Sequence, residues 1–391
     1  MRKLKILVAL TYYRPHISGL TIYVERLCRA LVARGHEVLV LTSQYDNNLP
    51  REDVLDGVRV FRVPVALRVS KGVVMPTIGY WATKFALWAD VMSVHLPQLD
   101  AAGLTGRGRL FGKPTLLTYH SDLLLPPGLV NWTANRVVDM VNHLAGISAH
   151  RLCAYTEDFA KHSRFLSKYP NKVTVISPPV EMREPSAEEI AAWAAAHGVH
   201  EGARPVIGIA ARLAAEKGIE YLLDALPAVL AKYPNAQVLH AGPTETVIGE
   251  GAYMAKLKPL LEAHKAHYHF LGPLSQDEMA LFFSNCDVHV LPSINNTETF
   301  GLVQIEAALC GCPSVASALP GVRMPTKMTG MGLSVPPMDS AALAEGILKV
   351  LDNRADYVRP RAEIAAMFSS EATAEKYEAW FYAELAKRGK G

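Results

Sequence analysis

Short apolar segments alternate with amphipathic ones along this chain, and this alternation limits the possible folds more than any other feature of the sequence. Ile6–Leu10 is a continuous apolar run, typical of a strand covered on both faces. Apolar residues between Val24 and Val32 then recur at helical spacing, and Gly35 closes that helix. Glu37–Thr42 is the next apolar run, so the start of the chain predicts a strand–helix–strand unit.

The second half of the chain shows the same alternation of apolar and amphipathic segments. Apolar runs predict further strands, at Val206–Ala210, Ala236–Ala241, Val288–Leu291 and Pro313–Ala318. Helical spacing and a capping box at Ser275 predict helices, at about 217–232, from 275 to 285 and at 301–310. This alternation predicts an α/β chain with two Rossmann-like, doubly wound parallel-sheet domains.

A polar, proline-containing stretch, Pro178–Pro205, separates the two series and holds one short helix near 187–197. A chain of 391 residues is also too long for one ordinary core. We therefore predict domains at 1–180 and 181–370, followed by a charged helix in 371–391. Doubly wound sheets bind ligands beyond the carboxyl ends of their strands, so functional residues are expected in loops after strands, facing a central cleft.

Charge divides the two halves of the chain. Residues 1–180 carry 22 Lys and Arg against 12 Asp and Glu, whereas residues 181–391 carry 18 against 25. A basic first half suits an anionic membrane surface or a phosphorylated acceptor, unless the difference is scatter on a solvated surface. The sequence has no run of eighteen apolar residues, so no membrane span is predicted, and no nucleic-acid partner is expected.

Five cysteines in a chain of this length do not form a disulfide framework. Cys310 and Cys312 stand one residue apart, but no second Cys or His pair at zinc spacing accompanies them. Buried, reduced thiols and a cytoplasmic location are therefore predicted.

Two glutamates follow the predicted strand Val288–Leu291. Glu298 lies in the loop before the next helix, and Glu306 lies within that helix among apolar neighbours. A carboxylate in such surroundings needs hydrogen-bond donors, and the two hydroxyls of a ribose would supply them at about 1.5–3 kcal/mol each. The alternative makes Glu298 a helix-cap residue and Glu306 a solvated one.

Two cations, Arg212 and Lys217, follow the predicted strand Val206–Ala210 and precede a helix. Cations at a helix N-terminus oppose the helix dipole, so the arrangement calls for an anion such as a diphosphate leaving group. The alternative is two ordinary surface charges.

The first half offers two weaker candidates. The loop at Ser18-Gly19 would let backbone amides approach a phosphate. His120 ends the strand that begins at Thr115 and would hydrogen-bond a sugar hydroxyl, although a lone histidine is often structural. The sequence holds no Asp-x-Asp pair, HExxH motif or P-loop, so neither a divalent metal nor a bound cofactor is predicted.

Together these residues resemble glycosyltransferase family 4, the retaining transferases with the GT-B fold. The most specific element is Glu298–Ala307, which resembles the family's motif of two glutamates separated by seven residues. Arg212 and Lys217 match the family's cations for the donor phosphates. Ser18 stands where the family usually has a first glycine, and His95 and His120 fall where the family often has cleft histidines.

The resemblance implies a nucleotide-sugar donor site on the second domain, an acceptor site on the first, and a final helix that crosses back onto the first domain. It also implies an α-linkage formed with retention and without a metal. Glu306 would hold the ribose, Glu298 the donor sugar, and the backbone amides near Gly301 the sugar and phosphate. The implied catalytic residues are Glu298, His120, Arg212 and Lys217, and the implied donor-binding residues are Ser18, Gly19, Arg212, Lys217, Glu298, Thr299, Phe300, Gly301, Leu302 and Glu306.

The expected acceptor is a lipid-linked or cell-envelope glycan, and the expected donor is a UDP-sugar, with GDP-mannose second. Tyr80–Trp88 and Leu123–Trp132, the latter leading to Arg136, mix aromatic and apolar residues with cations, as shallow membrane insertion requires. Core helices have the same composition. Peripheral contact with the inner face of the cell membrane is therefore a hypothesis.

Three alternatives keep the fold and change the function. A nucleotide-sugar epimerase or hydrolase needs an acid–base set, of which the sequence offers only His120 and the two motif glutamates. A phosphorylase-like reaction needs a cofactor lysine that the sequence does not reveal. A degenerate, non-catalytic transferase is expected to have lost one of the four motif residues, and all four are present.

Overall fold

The computed structural model describes residues 2–69, 72–122, 129–243 and 251–389, with 69, 129–134 and 201 described by their backbone alone. The chain forms two compact units, Met1–Pro179 with Phe368–Gly391, and Val180–Met367. No helix in the described ranges combines the length and the apolar character that crossing a bilayer requires.

Unit 1 is built on one large sheet. Its strands are β1 (Lys5–Ala9), β2 (Glu37–Gln44), β3 (Glu52–Leu55), β4 (Val58–Pro64), β5 (Leu67–Val69), β6 (Gly72–Val74), β7 (Val91–Leu96), β8 (Thr115–Tyr119), β9 (Arg151–Ala154) and β10 (Val173–Val175). The sheet order is β10-β9-β8-β7-β1-β2-β4-β3, with only β3 antiparallel to its neighbour among the described strands, and β5 and β6 form a separate antiparallel pair.

The helices of unit 1 cover both faces of this sheet. They are α1 (Gly19–Ala33), α2 (Ile78–Trp88), α3 (Ala101–Leu110), α4 (Leu129–Ser148), α5 (Glu157–His162) and, from the end of the chain, α14 (Ser370–Ala386). Successive strand residues point to opposite faces. Leu7 and Leu117 pack with residues of α2, α3 and α4 on one face, whereas Thr118 contacts α14 on the other.

The final helix packs back onto unit 1, as the resemblance implies. Ser369 caps it, and the buried Tyr377 hydroxyl lies 2.9 Å from the Tyr23 hydroxyl of α1 and 2.7 Å from Thr118 Oγ1 of β8. Arg34 Nε, at the end of α1, donates to Glu378 at 2.8 Å. The helix therefore belongs to the core of unit 1 although it comes last in the chain.

Unit 2 holds a second, fully parallel sheet. Its strands are β11 (Val206–Ala210), β12 (Gln237–Ala241), β13 (Tyr268–Gly272), β14 (Val288–Leu291), β15 (Ser314–Ser317) and β16 (Gly332–Val335). Its helices are α6 (Ala187–Ala196), α7 (Ile219–Lys232), α8 (Gly251–Ala263), α9 (Gln276–Asn285), α10 (Leu302–Leu309), α11 (Met324–Thr329), α12 (Ser340–Asp352) and α13 (Arg361–Phe368). The strand order is β13-β12-β11-β14-β15-β16.

The two strands that precede the candidate motifs lie where their apolar runs predict. Two helices begin later than predicted, because a glycine in the left-handed conformation precedes each of them. Gly218, at φ +62°, separates a 3₁₀ turn at Ala215–Lys217 from α7, and Gly301, at φ +75°, precedes α10. All five cysteines are free, and Cys310 alone among them is only partly buried.

Candidate active site

The candidate donor site lies where the strand order of unit 2 changes direction. From β11 the chain proceeds to β12 and β13 on one side of the sheet, and then to β14, β15 and β16 on the other. The loops that follow the neighbouring strands β11 and β14 therefore both start at this switch point, which is where doubly wound sheets bind ligands. Arg212 and Lys217 come from the first loop, and Glu298 comes from the second.

These two loops touch closely. The Ile294 amide donates to the Glu216 carbonyl oxygen at 3.0 Å. At Gly218, an added Cβ would lie 2.4 Å from the Pro292 carbonyl oxygen and 2.7 Å from Ile294 Cγ2. A glycine is therefore required here both for its positive φ and for the close approach of the second loop.

Charged side chains from the two loops pair with each other. Lys217 Nζ lies 2.6 Å from Glu298 Oε2, with each side chain about one fifth exposed (18% and 19%). Arg212 forms an ion pair with Glu216, four residues later. Partly exposed pairs of this kind contribute little net stability. The cations can therefore exchange these partners for a phosphate at small cost.

The second loop ends at the N-terminus of α10. Glu298 Oε1 accepts a hydrogen bond from the Gly301 amide at 3.0 Å, so the motif's first glutamate holds the backbone that starts the helix. An added Cβ at Gly301 would lie 2.5 Å from Leu291 Cδ2 and 2.6 Å from Gln304 Nε2. The Gln304 amide donates to the Gly301 carbonyl at 2.9 Å, so the first-turn amides that remain to attract an anion are those of Leu302 and Val303.

Most side chains between the two motif glutamates are buried, whereas Leu302 and Val303 are partly exposed. Thr299 and Phe300 are 5% and 1% exposed, so a ligand here would meet their backbone rather than their side chains. Gln304 Nε2, also buried, donates to the Phe300 carbonyl at 3.1 Å and to the Val322 carbonyl at 2.9 Å. These contacts fix the turn into α10.

Glu306 is half-buried on α10, between the buried Ile305 and Ala307. Cys310 follows one helix turn later, and burial raises the pKa of its thiol to about 11. The negative charge of the Glu306 carboxylate contributes to this increase. The predicted partial burial of this carboxylate is observed. Its predicted role in holding a ribose stays a prediction.

In unit 1, Ser18 acts as the N-cap of α1. Its Oγ accepts from the Thr21 amide at 3.2 Å and lies 2.9 Å from Thr21 Oγ1. Ser18 therefore has a structural reason to replace a glycine, since a serine in this position satisfies one of the helix's unpaired amides. Gly19 is the first residue of the helix and is exposed.

His120 lies within a buried chain of hydrogen bonds. Ser93 Oγ is 3.0 Å from His95 Nε2, His95 Nδ1 is 2.9 Å from His120 Nε2, and His120 Nδ1 contacts the Tyr155 hydroxyl. Burial lowers the pKa of His95 to about 3, and burial together with His95 lowers that of His120 well below its ordinary value. Both rings are therefore neutral at neutral pH. Because both nitrogens of His120 have protein partners, contact with a sugar would require exchange of one of them.

Two family models match the two units. Residues 195–367 match the model described as glycosyl transferases group 1, and residues 18–179 match the model described as a glycosyl transferase 4-like domain. The chain belongs to the group 1 glycosyltransferases. It is therefore a transferase enzyme, and the resemblance to family 4 is confirmed.

Characterised relatives of this transferase align over most of its length. It is 29% identical over 378 residues to 2-deoxystreptamine N-acetyl-D-glucosaminyltransferase of Streptomyces fradiae, covering 90% of this chain and 86% of the relative. It is 26% identical over 370 residues to phosphatidyl-myo-inositol mannosyltransferase of Mycobacterium leprae, covering 92% and 91%. HepE of Anabaena, solved with UDP-glucose, superposes with a TM-score of 0.76 at 19% identity over 97% of this chain and 100% of that chain. The predicted GT-B fold is confirmed.

Several residues around the transferase's predicted site residues carry no sequence signal of their own. Tyr155 and Tyr377 reach the His120 region from distant parts of the chain. Ser93 and His95 did have a signal: they are alternate residues in an otherwise apolar strand, which places both on one face of the sheet.

Among the described residues, no group of three His, Cys, Asp or Glu side chains has the arrangement of a metal site.

Proposed function

We propose that this transferase moves a hexose from a nucleotide diphosphate sugar to a lipid-linked or cell-envelope glycan acceptor. A UDP-sugar is the first choice of donor and GDP-mannose the second. The sugar keeps its anomeric configuration, which gives an α-linkage, and no divalent metal takes part.

One observation carries the donor proposal: two cations and a helix N-terminus converge at the switch point of the unit 2 sheet. Arg212 and Lys217 lie on the loop after β11. The loop after β14 leads into the first-turn amides of α10. Both charged side chains and helix amides stabilise phosphate oxygens. Negative charge grows on the diphosphate as its bond to the sugar breaks, so this convergence favours the transition state.

The two motif glutamates take different parts of the donor in this proposal. Glu298 uses one oxygen for Lys217 and the other for the Gly301 amide. A carboxylate has about four lone-pair positions, which leaves acceptor capacity for hydroxyls of the donor sugar. Glu306, one helix turn beyond Leu302, would accept from the two ribose hydroxyls.

The choice of donor rests on relatives. HepE was solved with UDP-glucose, and the relative from Mycobacterium leprae is a mannosyltransferase that acts on phosphatidyl-myo-inositol by its name. The first supports a UDP-sugar, and the second supports a mannosyl donor and a lipid-linked acceptor. The excess of basic residues in 1–180 also suits an acceptor that carries phosphate.

The proposed reaction needs few chemical groups from the protein. The bond from the anomeric carbon to the diphosphate breaks, the bond to the acceptor oxygen forms on the same face, and the acceptor proton passes to the leaving diphosphate. Catalysis then consists of positioning and of leaving-group stabilisation by Arg212 and Lys217. His120, neutral and buried, would position neighbouring groups.

Calorimetric titration of UDP, GDP and dTDP without divalent metal tests the donor proposal. We expect one nucleotide to bind clearly to the wild type and at least about 100-fold more weakly to Glu306→Ala, because two charged hydrogen bonds are lost. Glu363→Ala, an exposed glutamate on α13 of the same unit, is the matched control and should bind like the wild type.

Either result is informative. If none of the three nucleotides binds to folded protein, the active-transferase proposal fails and a degenerate role becomes the better explanation. If one binds equally to the wild type and Glu306→Ala, the donor site lies elsewhere. If binding requires added divalent metal, the metal-independent mechanism is wrong.

A further inference from the structure

The two faces of the unit 1 sheet differ in charge. On one face lie α2, α3, α4 and the segment that follows α5, residues 163–172. We call these the basic layer. Within their ranges they hold seven Lys and Arg and one acid, Asp139, and α5, which packs on the same face, adds one Lys and two acids. On the other face, α1 and α14 hold three Lys and Arg against five Glu. The basic character of the first half is therefore concentrated on one side of the unit.

The same layer exposes large apolar side chains. They are between 49% and 76% exposed, and comprise Tyr80, Leu87, Leu110, Val137, Met140, Leu144 and Ile147. The last four follow each other on α4 at intervals of three and four residues, which places them on one side of the helix. We call these four residues the α4 stripe.

Cations surround the α4 stripe. Lys168 Nζ lies 2.6 Å from His143 Nε2, and Lys172 Nζ donates to the Ile147 carbonyl oxygen at 2.9 Å. The acid of the layer, Asp139, is 3.4 Å from Arg164. Burial lowers the pKa of Lys172, and the nearby Arg109 lowers it further, so positive charges crowd this end of α4. A surface of this kind attracts anions.

We propose that the basic layer docks onto an anionic lipid bilayer, with the α4 stripe inserted shallowly and the surrounding cations against the lipid phosphates. Apolar side chains flanked by Lys and Arg are the combination that holds a helix in the plane of a membrane interface. The inference rests on the proposed function in one respect, because a lipid-linked acceptor would be presented at such a surface.

A second copy of the chain fits this surface less well. An interface of two basic layers would bring seven cations from each copy together with a single acid from each. Like charges in apposition disfavour association. An anionic bilayer instead supplies the opposite charge along the whole layer.

Vesicle flotation of the full chain tests the proposal. The vesicles are phosphatidylcholine alone and an equimolar mixture of phosphatidylcholine and phosphatidylglycerol, at low and high salt. We expect co-flotation with the mixture at low salt only, because salt screens the attraction. Met140→Glu with Leu144→Glu should weaken partitioning at least about tenfold, because it places charge in the stripe.

A matched control adds the same charges elsewhere. Phe270→Glu with Met338→Glu changes two exposed apolar residues of unit 2, outside the basic layer, and should change partitioning less than about twofold. Lys168→Glu is an independent second variant on the surface, expected to weaken binding to the mixture roughly tenfold. Thermal unfolding of each variant checks that the fold is kept.

Three outcomes would overturn the docking surface. They are no flotation of the wild type with the anionic mixture, equal flotation of the stripe variant and the wild type, and a dimer in sedimentation velocity that only the stripe variant dissolves, without vesicle binding. UDP titration of the same samples separates this inference from the proposed function. If UDP binds but the protein does not float, only the membrane-docking proposal is wrong. If the protein floats but no nucleotide binds, only the donor proposal is wrong.

Discussion

Lys217 Nζ lies 2.6 Å from Glu298 Oε2, which joins two loops that are 81 residues apart in the chain. The pair exists because β11 and β14 are neighbours, so that loops from their carboxyl ends meet. Through its other oxygen, Glu298 holds the amide of Gly301 at the start of α10. One carboxylate thus connects a candidate phosphate cation to a candidate phosphate-binding helix N-terminus.

Replacing Lys217 should affect nucleotide binding far more than stability. Lys217→Ala removes a charged hydrogen bond to phosphate, so we expect the UDP dissociation constant to rise roughly 10- to 100-fold. The free energy of unfolding should fall by less than about 1 kcal/mol, because the ion pair is partly exposed. Calorimetric titration and urea unfolding measure the two effects.

The matched control for Lys217 lies at the far end of α7. Lys232 also pairs with a carboxylate at 2.6 Å, that of Asp352, but in a more exposed ion pair away from the switch point. Lys232→Ala should therefore keep wild-type UDP affinity. If both substitutions weaken UDP binding equally, the effect is one of overall charge, and Lys217 does not contact the phosphates.

Gly301→Ala should destabilise unit 2 and weaken nucleotide binding. The left-handed backbone costs about 1–2 kcal/mol for a residue with a Cβ. Contacts of 2.5 and 2.6 Å with Leu291 and Gln304 should add about 1–3 kcal/mol. Gly311 has the same φ, +75°, but an added Cβ there would meet nothing within 4 Å. Gly311→Ala therefore isolates the backbone cost in urea unfolding, and equal losses for both variants would contradict the packing argument.

The parts of the fold that depend on local pattern were predictable from the sequence. Val206–Ala210 and Val288–Leu291 are strands in the structure because continuous apolar runs suit strands buried on both faces. Helix starts at 217 and 301 were predicted too early. Amphipathic spacing extends into the preceding turn and does not reveal that Gly218 and Gly301 adopt positive φ.

The contacts within the site were not predictable, because spacing along the chain does not say which loops meet. The Lys217–Glu298 pair follows from the strand order, and the His95–His120 contact follows from the pairing of β7 with β8. Of the two stretches predicted for membrane contact, Leu123–Trp132 lies outside the residues described with side chains. The other stretch, Tyr80–Trp88, lies on α2, where Phe85 is buried and Tyr80 is exposed.

Tyr377→Phe should destabilise unit 1. The Tyr377 hydroxyl links α14 to α1 and β8 through bonds of 2.9 Å to Tyr23 and 2.7 Å to Thr118, all of them buried. Its loss leaves two buried hydroxyls with one partner fewer, which should lower the free energy of unfolding by about 1–3 kcal/mol. Tyr382→Phe, on the same helix, removes an exposed hydrogen bond to the Arg2 carbonyl and should cost less than about 0.5 kcal/mol. Urea unfolding compares the two, and equal costs would argue against the buried link.

Acid should destabilise the protein through its buried, neutral histidines. His240 receives the Tyr268 hydroxyl at Nδ1 (2.8 Å) and donates from Nε2 to the Ala211 carbonyl (2.7 Å), and burial lowers its pKa to about 4. Burial also lowers the pKa of His289 to about 3.

In the unfolded chain, a histidine binds a proton once the pH falls below its ordinary pKa of about 6.5. In the folded chain, His240 stays neutral until about pH 4. Stability should therefore fall as the pH drops from 6.5 to 4, by up to about 1.4 kcal/mol per pH unit for each such histidine. His240→Gln should reduce the slope of unfolding free energy against pH by about that amount. His269→Gln, exposed on β13, should leave the slope unchanged. Urea unfolding of all three proteins across this range measures the slopes, and an unchanged slope in His240→Gln would mean that His240 is protonated in the folded state.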